Sequence, residues 1–369
     1  MSALPGVSVV IPNYNYQRFV ADAIESALRQ NHPEVEVIVV DDCSTDGSRA
    51  VIERYADHVR TIFLPENGGQ TAACNAGWSA SQHEIVIFLD SDDMLAPNAA
   101  STVARIWRPG ISKLQWCLAV VDIEGRPVGN VFPKYREGFT AQNARQQLLF
   151  ATNYLTAPTS GNAYARELLK AGSPIEGHRA IDAILNTIAP LYGDVVTVHS
   201  VLSYYRVHHS NSSLFTNIAP SRFRYYLEFE RARIACLQRH CQKLGLVFDA
   251  EGARERFAWC QECEVMLGKL APEAPTNGAR LAARARQAVR AILSASDQSG
   301  SQRALRALWL ILVASTPRSW ARHLIGMRYM PTSRPGFVEK LSRGFRRPPA
   351  LPAPSPALCQ PNERRDIDV

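Results

Sequence analysis

Within the first 95 residues, four short, mostly apolar runs alternate with helical patterns, and this rhythm limits the architecture more than any other feature. The runs are Val7–Ile11, Val35–Val40, Val59–Leu64 and Ile85–Leu89. Between the first two, residues 16–30 place Phe19, Val20, Ala23, Ile24, Ala27 and Leu28 on one helical face. Residues 48–56 and 70–81 also read as helix, and 66–69 as a turn. A strand that is apolar throughout must be covered on both faces, and helices between successive strands supply the crossovers that parallel pairing needs. The expected fold class is therefore α/β, a mostly parallel sheet with helices on both faces. In such sheets ligands bind beyond the carboxyl ends of the strands. Both acidic clusters of this region fall there.

Further along, the pattern loosens. Strands are expected at 114–122 and 195–202, and helices at 141–151, 163–171 and 180–191. From about 220 the reading is helical, over 221–244, 254–271, 279–296 and 301–315. Pro348 to Pro361 is rich in Pro and Ala and is expected to be disordered. The resulting division is 1–217 as the first domain, 218–300 as a helical extension, 301–347 as a basic amphipathic segment and 348–369 as a tail.

Charge separates these parts. The net charge is +7, yet residues 301–349 hold ten Lys/Arg against Glu339 alone, so the rest is close to neutral. Trp309, Trp320, Tyr329 and Phe337 lie among its arginines, but no recognisable nucleic-acid-binding motif accompanies them, and no nucleic-acid partner is expected. The apolar run Ala307–Ala314 lies inside it. Apolar and cationic residues together suit an anionic membrane surface, and packing of Leu308–Val313 onto the catalytic domain is the equal alternative. With 46% hydrophobic and 20% charged residues, a wholly disordered or fibrous chain is excluded. Eight cysteines at irregular spacing do not form a secreted disulfide framework. No leader pattern is seen and no apolar run reaches about 18 residues. The expected location is the cytoplasm, with peripheral contact at the inner face of the plasma membrane.

The sharpest chemical signal is Asp90-Ser91-Asp92-Asp93, directly after Ile85–Leu89. Three carboxylates within four residues repel one another unless a cation or protons lie between them, and such oxygen-rich sets suit Mg²⁺ or Mn²⁺. The plainer reading is a solvated acidic turn; placement at the end of an apolar strand favours the ligand site. Asp41-Asp42 ends the second strand, where carboxylates can accept from a base N–H or a ribose hydroxyl. Helix capping, which Ser44 or Asp46 could also do, is the simpler use. Asp42, Ser44, Asp46, Gly47 and Glu53 fall at EF-hand spacing, but a strand leads in and no partner loop follows, so no calcium loop is expected. Cys260-Gln261-Glu262-Cys263 lacks a second pair and is expected to hold ordinary thiols.

Taken in order, the motifs Val7-Ser8-Val9-Val10-Ile11-Pro12-Asn13-Tyr14-Asn15, Val39-Val40-Asp41-Asp42-Cys43-Ser44-Thr45-Asp46-Gly47-Ser48, Glu66-Asn67-Gly68-Gly69, Asn75-Ala76-Gly77 and Phe88-Leu89-Asp90-Ser91-Asp92-Asp93 resemble family 2 glycosyltransferases. The resemblance covers residues 5–215 and implies the Rossmann-like GT-A fold, here followed by a helical C-terminal region. It implies a metal-dependent, inverting transferase that moves a sugar from a nucleotide-diphospho-sugar, a UDP-sugar by preference, to a glycan or lipid-linked acceptor of a bacterial surface. Carried over residue by residue, Pro12, Tyr14, Asp41, Asp42, Asn75, Asp90, Ser91 and Arg206 would bind the nucleotide-sugar. Asp92, Asp93 and His208 would hold Mg²⁺ or Mn²⁺. Ser160, Gly161 and Asn162 would border the acceptor. Asp182 would be the catalytic base, with Ile181 in place of the family's usual Glu. Cys74 stands where many relatives carry Arg or Lys. A catalytically inactive nucleotide-binding or scaffold module of a glycan-assembly complex is the alternative reading.

Overall fold

The computed structural model describes residues 4–135, 137–138, 140–173, 181–208, 218–271, 278–295 and 299–329, which fall within one compact unit. The four apolar runs become β1 (Val7–Asn13), β2 (Val35–Asp41), β3 (Arg60–Phe63) and β4 (Ile85–Phe88), all parallel in the order β3-β2-β1-β4. Val10 of β1 stands opposite Ile38 on one side and Phe88 on the other. The crossovers include α1 (Val20–Leu28), α2 (Ser48–Glu53) and α3 (Gln70–Ala80). Alternation along β1 sends Val7, Val9 and Ile11 to the layer that holds Val20, Ala23 and Ile24 of α1. Val10 goes to the opposite layer with Ala73, Cys74 and Trp78 of α3. The sheet is covered on both faces, as its apolar runs require.

Beyond β4 the sheet turns mixed. The elements are β5 (Met94–Leu95), α4 (Ala99–Ile106), β6 (Ile111–Val121), β7 (Pro127–Phe132), α5 (Ala141–Ala151), β8 (Asn162–Ala165), α6 (Arg166–Gly172), α7 (Ile181–Tyr192) and β9 (Asp194–Arg206). β8 lies antiparallel between β4 and β6, β9 runs parallel to β6, and β5 and β7 pair at the margins. The helix expected over 163–171 therefore begins as a strand. Four residues are too few to show an alternation, and pairing with two neighbours overrides local preference. Tyr164 fixes β8 from within, its hydroxyl 3.1 Å from Asn186 Oδ1 and its ring against Phe88.

The remaining helices are α8 (Pro220–Lys243), α9 (Ala250–Arg256), α10 (Ala258–Leu270), α11 (Gly278–Ser294), α12 (Gly300–Ser315) and α13 (Arg318–Tyr329). The single helix expected over 254–271 breaks at Phe257, where the backbone extends (φ −79°, ψ 100°). α13 is additional to the predicted elements. α8 is not set apart from the sheet. Cys236, Leu237 and Cys241 join the layer of Val10 and Phe88. Buried Arg233 donates to Thr152 O (2.6 Å) and Thr187 Oγ1 (2.9 Å). α10 to α13 bury Val265, Ala288 and Leu310 in one cluster and Met266, Val313 and Ile325 in another. Among the described residues no helix is long and apolar enough to cross a membrane. The tail expected at 348–369 lies outside the described residues.

Candidate active site

Because β1 lies between β2 and β4 and all three run parallel, Asp41-Asp42 and Asp90–Asp93 leave the same edge of the sheet on either side of Asn13-Tyr14. The start of α3 joins the two clusters. The amides of Gly68 and Gly69 each donate to one Asp42 carboxylate oxygen at 2.8 Å. Gly69 sits at φ +83°, a backbone that a side chain would strain. The next residue, Gln70, donates from Nε2 to Asp90 Oδ1 at 2.8 Å. Asp41 turns inward instead, accepting from Asn13 Nδ2 (2.8 Å), Ser44 N (3.0 Å) and Ser44 Oγ (2.6 Å). Asn15, at φ 59°, takes Thr45 N on its Oδ1 at 2.7 Å. These bonds lace the loop after β1 to the loop after β2. At their side Pro12 is buried, while the Tyr14 ring is 42% exposed.

Asp90, Asp92 and Asp93 bring one carboxylate oxygen each to within 4.8 Å of the others. Burial, then the charges of Asp92 and Asp182, push Asp90 up to about 8, and burial followed by Asp92 and Asp90 pushes Asp93 well above the carboxylate range. A set of hard oxygens held together against their own repulsion fits a divalent cation such as Mg²⁺ or Mn²⁺. Asp93 is almost fully buried and accepts from Ser160 Oγ (2.6 Å) and Arg206 N (2.9 Å). Asp92 meets His208 Nε2 at 3.0 Å.

The remaining candidate residues are placed as follows. His208 lies against the Asp92 carboxylate at the edge of the three-carboxylate group. Its buried ring stacks on Phe19 at 4.8 Å and meets the edge of Tyr16 at 5.7 Å. Arg206 does not open to the cleft. Its guanidinium donates to Asp22 Oδ2 (2.6 Å), Asp92 O (2.9 Å) and Ile123 O (2.8 Å), and so ties β9 to α1 and to the acidic loop. Ser160, Gly161 and Asn162 are buried. Ser160 Oγ accepts from Asp90 N at 3.1 Å while donating to Asp93, and Asn162 Nδ2 donates to Pro158 O at 2.6 Å. A Cβ on Gly161 would lie 2.5 Å from that of Ala157. These three form the floor beneath the acidic loop. Ser91 is also buried, and Asn75 accepts from Trp78 Nε1 at 3.2 Å.

Asp182 lies in the first turn of α7, which packs against α3, and is partly exposed. Burial raises its pKa, opposed by the amides of Asp182 and Ala183 and by the charge of Lys113. Its charge acts on Asp90, Cys74 and Tyr164. Two neighbours escape a reading of the sequence. Lys113 on β6 has no exposed surface. Its Nζ donates to Gln115 Oε1 at 2.9 Å and sits 5.3 Å from the Tyr154 ring centre, and burial holds it well below the usual lysine range. The available signal is a lysine inside an otherwise strand-like core run. Tyr16, whose ring meets His208, is pushed up by burial and by the charges of Asp92 and Asp90.

This sheet with its flanking helices has the GT-A fold. In fold it is similar to Staphylococcus aureus TarS in complex with UDP-GlcNAc, at a TM-score of 0.53 and 20% identity over 88% of this chain and 91% of that one. The model for glycosyl transferase family 2 matches residues 8–110. An uncharacterized glycosyltransferase of Nostoc sp. is 33% identical over 226 residues, 58% of this chain and 69% of that protein. The chain belongs to glycosyltransferase family 2 and is a glycosyltransferase. Its match to the putative teichuronic acid biosynthesis glycosyltransferase TuaG of Bacillus subtilis is 42% identical over 92 residues, 24% of this chain and 36% of that protein.

Proposed function

We propose that the cleft binds a nucleotide-diphospho-sugar, with UDP as the carrier, and transfers the sugar with inversion to a hydroxyl of a bacterial surface polysaccharide or lipid-linked glycan. The observation that carries this reading is the approach of Asp90, Asp92 and Asp93 to within 4.8 Å on the strand edge shared with Asp42. The UDP-GlcNAc held by TarS and the polymer named for TuaG support the donor and the acceptor class.

In this reading Tyr14 gives the base a stacking face with Pro12 behind it, and Asp42 accepts from the base. Asp41 keeps the two loops in register through Asn13 and Ser44. Mg²⁺ or Mn²⁺ held by Asp90, Asp92 and Asp93 would neutralise charge developing on the diphosphate. Asp182 removes the proton from the acceptor hydroxyl as that oxygen attacks the anomeric carbon from the face opposite the departing group. One such displacement inverts the configuration. Residues 1–217 would carry the chemistry, and the helices after 218 would buttress it.

A mass-spectrometric screen of nucleotide-sugars with the full chain tests the donor, and proton NMR of the product tests the stereochemistry. Asp182→Asn should retain nucleotide binding and lose transfer by about 10²–10⁴-fold. Normal turnover by that variant, or a product of retained configuration, contradicts the mechanism.

A further inference from the structure

α12 is apolar on two sides. On the inner side Ala307, Leu310 and Val313 are buried, and Arg306 forks onto fully buried Glu262 of α10 at 2.7 and 3.0 Å. This side accounts for packing onto the rest of the chain. On the outer side Leu305, Leu308, Ile311 and Leu312 are 70%, 55%, 47% and 43% exposed. At about 100° per residue these four occupy about a third of the helix circumference. Trp320 on α13 adds a ring that is 65% exposed. Single exposed leucines are ordinary, whereas a continuous face of this kind marks an interaction surface.

The charges around this face have one sign. Residues 299–329 contain five arginines and no Asp or Glu. Arg306 and Arg328 turn inward, Arg328 lying 4.3 Å over the Trp309 ring, while Arg318 and Arg322 are exposed. Beside the face, a cleft of about 920 Å³ between α10, α11 and α12 is lined by Val289 and Ile311 together with Lys269, Arg286, Arg290 and Arg318, and by no carboxylate among the described residues. Lys269 donates to Ala314 O at 2.9 Å and Arg318 to Leu270 O, so both cations are fixed at helix ends.

We propose that the outward face of α12, with Trp320 and the cationic cleft beside it, docks on an anionic lipid bilayer. The apolar side chains would enter the boundary of the acyl region, and the arginines and Lys269 would meet lipid phosphates. Charge selects this occupant over two others. A second copy would bring the same cations against themselves. The chain's own continuation, residues 330–369, holds seven Lys/Arg against four Asp/Glu and so adds net charge of the same sign. This inference is independent of the donor, metal and base assignments.

The test is cosedimentation of the full chain with vesicles. Vesicles of phosphatidylcholine and phosphatidylglycerol should bind it, pure phosphatidylcholine should bind it weakly, and added salt should release it. Leu308→Glu with Leu312→Glu, both at exposed positions, should reduce binding by about tenfold or more with an unchanged circular dichroism spectrum. Arg286→Glu with Arg290→Glu should abolish the preference for phosphatidylglycerol. The proposal is overturned if wild type ignores anionic vesicles at low salt, or if the double leucine variant binds like wild type. It is also overturned if that variant converts an oligomer to a monomer in sedimentation equilibrium, since a second copy then covers the face.

Discussion

Lys113 has no exposed surface and lies close enough to Asp182 for each charge to act on the other. Burial raises Asp182, and the lysine opposes that rise. Lys113→Met keeps the volume and removes the amine, so at pH values low enough for Lys113 to be protonated the Asp182 pKa should climb further. The base works only when ionised, so the acidic limb of the kcat/KM profile should move to higher pH. Among the described residues, Lys113, Asp90, Cys74 and Tyr164 are titratable groups that interact with Asp182. An unmoved limb would separate Lys113 from the base. At this scale the aspartates were legible because carboxylates crowded after an apolar strand need an explanation. The orientation of Arg206 and Ser160 was not. Position along the chain does not say which way a side chain turns, and Arg206 is drawn inward by Asp22, a partner 184 residues away.

At the scale of elements, α3 is held close to β1 by an absent side chain. A Cβ at Gly77 would come 2.3 Å from Val10 Cγ1. Gly77→Val should therefore cost about 1–3 kcal/mol in urea unfolding through overpacking. It should also weaken nucleotide binding, because α3 begins at the turn Gly68-Gly69-Gln70, which joins Asp42 to Asp90. An unchanged urea midpoint would contradict this. The parallel half of the sheet was readable because its strands are apolar on both faces and separated by helices. β8 was hidden by its length, and β7 by glycine and exposed positions at the margin.

Across the whole molecule, the helices after residue 218 and the sheet share their interior. α8 enters the layer of Val10 and Phe88, and α12 and α13 supply Leu310, Val313 and Ile325 to clusters completed by α10. Which apolar face each of these helices buries was not legible, because charge and proline content do not report it. Glu262 joins these helices through Arg306, with Arg328 3.9 Å away. Glu262→Ala leaves a largely buried arginine without its carboxylate and should cost about 3–5 kcal/mol of stability in thermal unfolding. A loss below about 1 kcal/mol would show that the pair is dispensable.

The account rests most heavily on the acidic loop acting as the grip for a cation and a diphosphate. Calorimetric titration of UDP into the full chain, with and without Mn²⁺, reads this directly. Wild type should bind UDP far more tightly with Mn²⁺ present, and Asp92→Ala should lose that gain while remaining folded. Equal affinity with and without the metal in wild type, or an undiminished gain in Asp92→Ala, would contradict it.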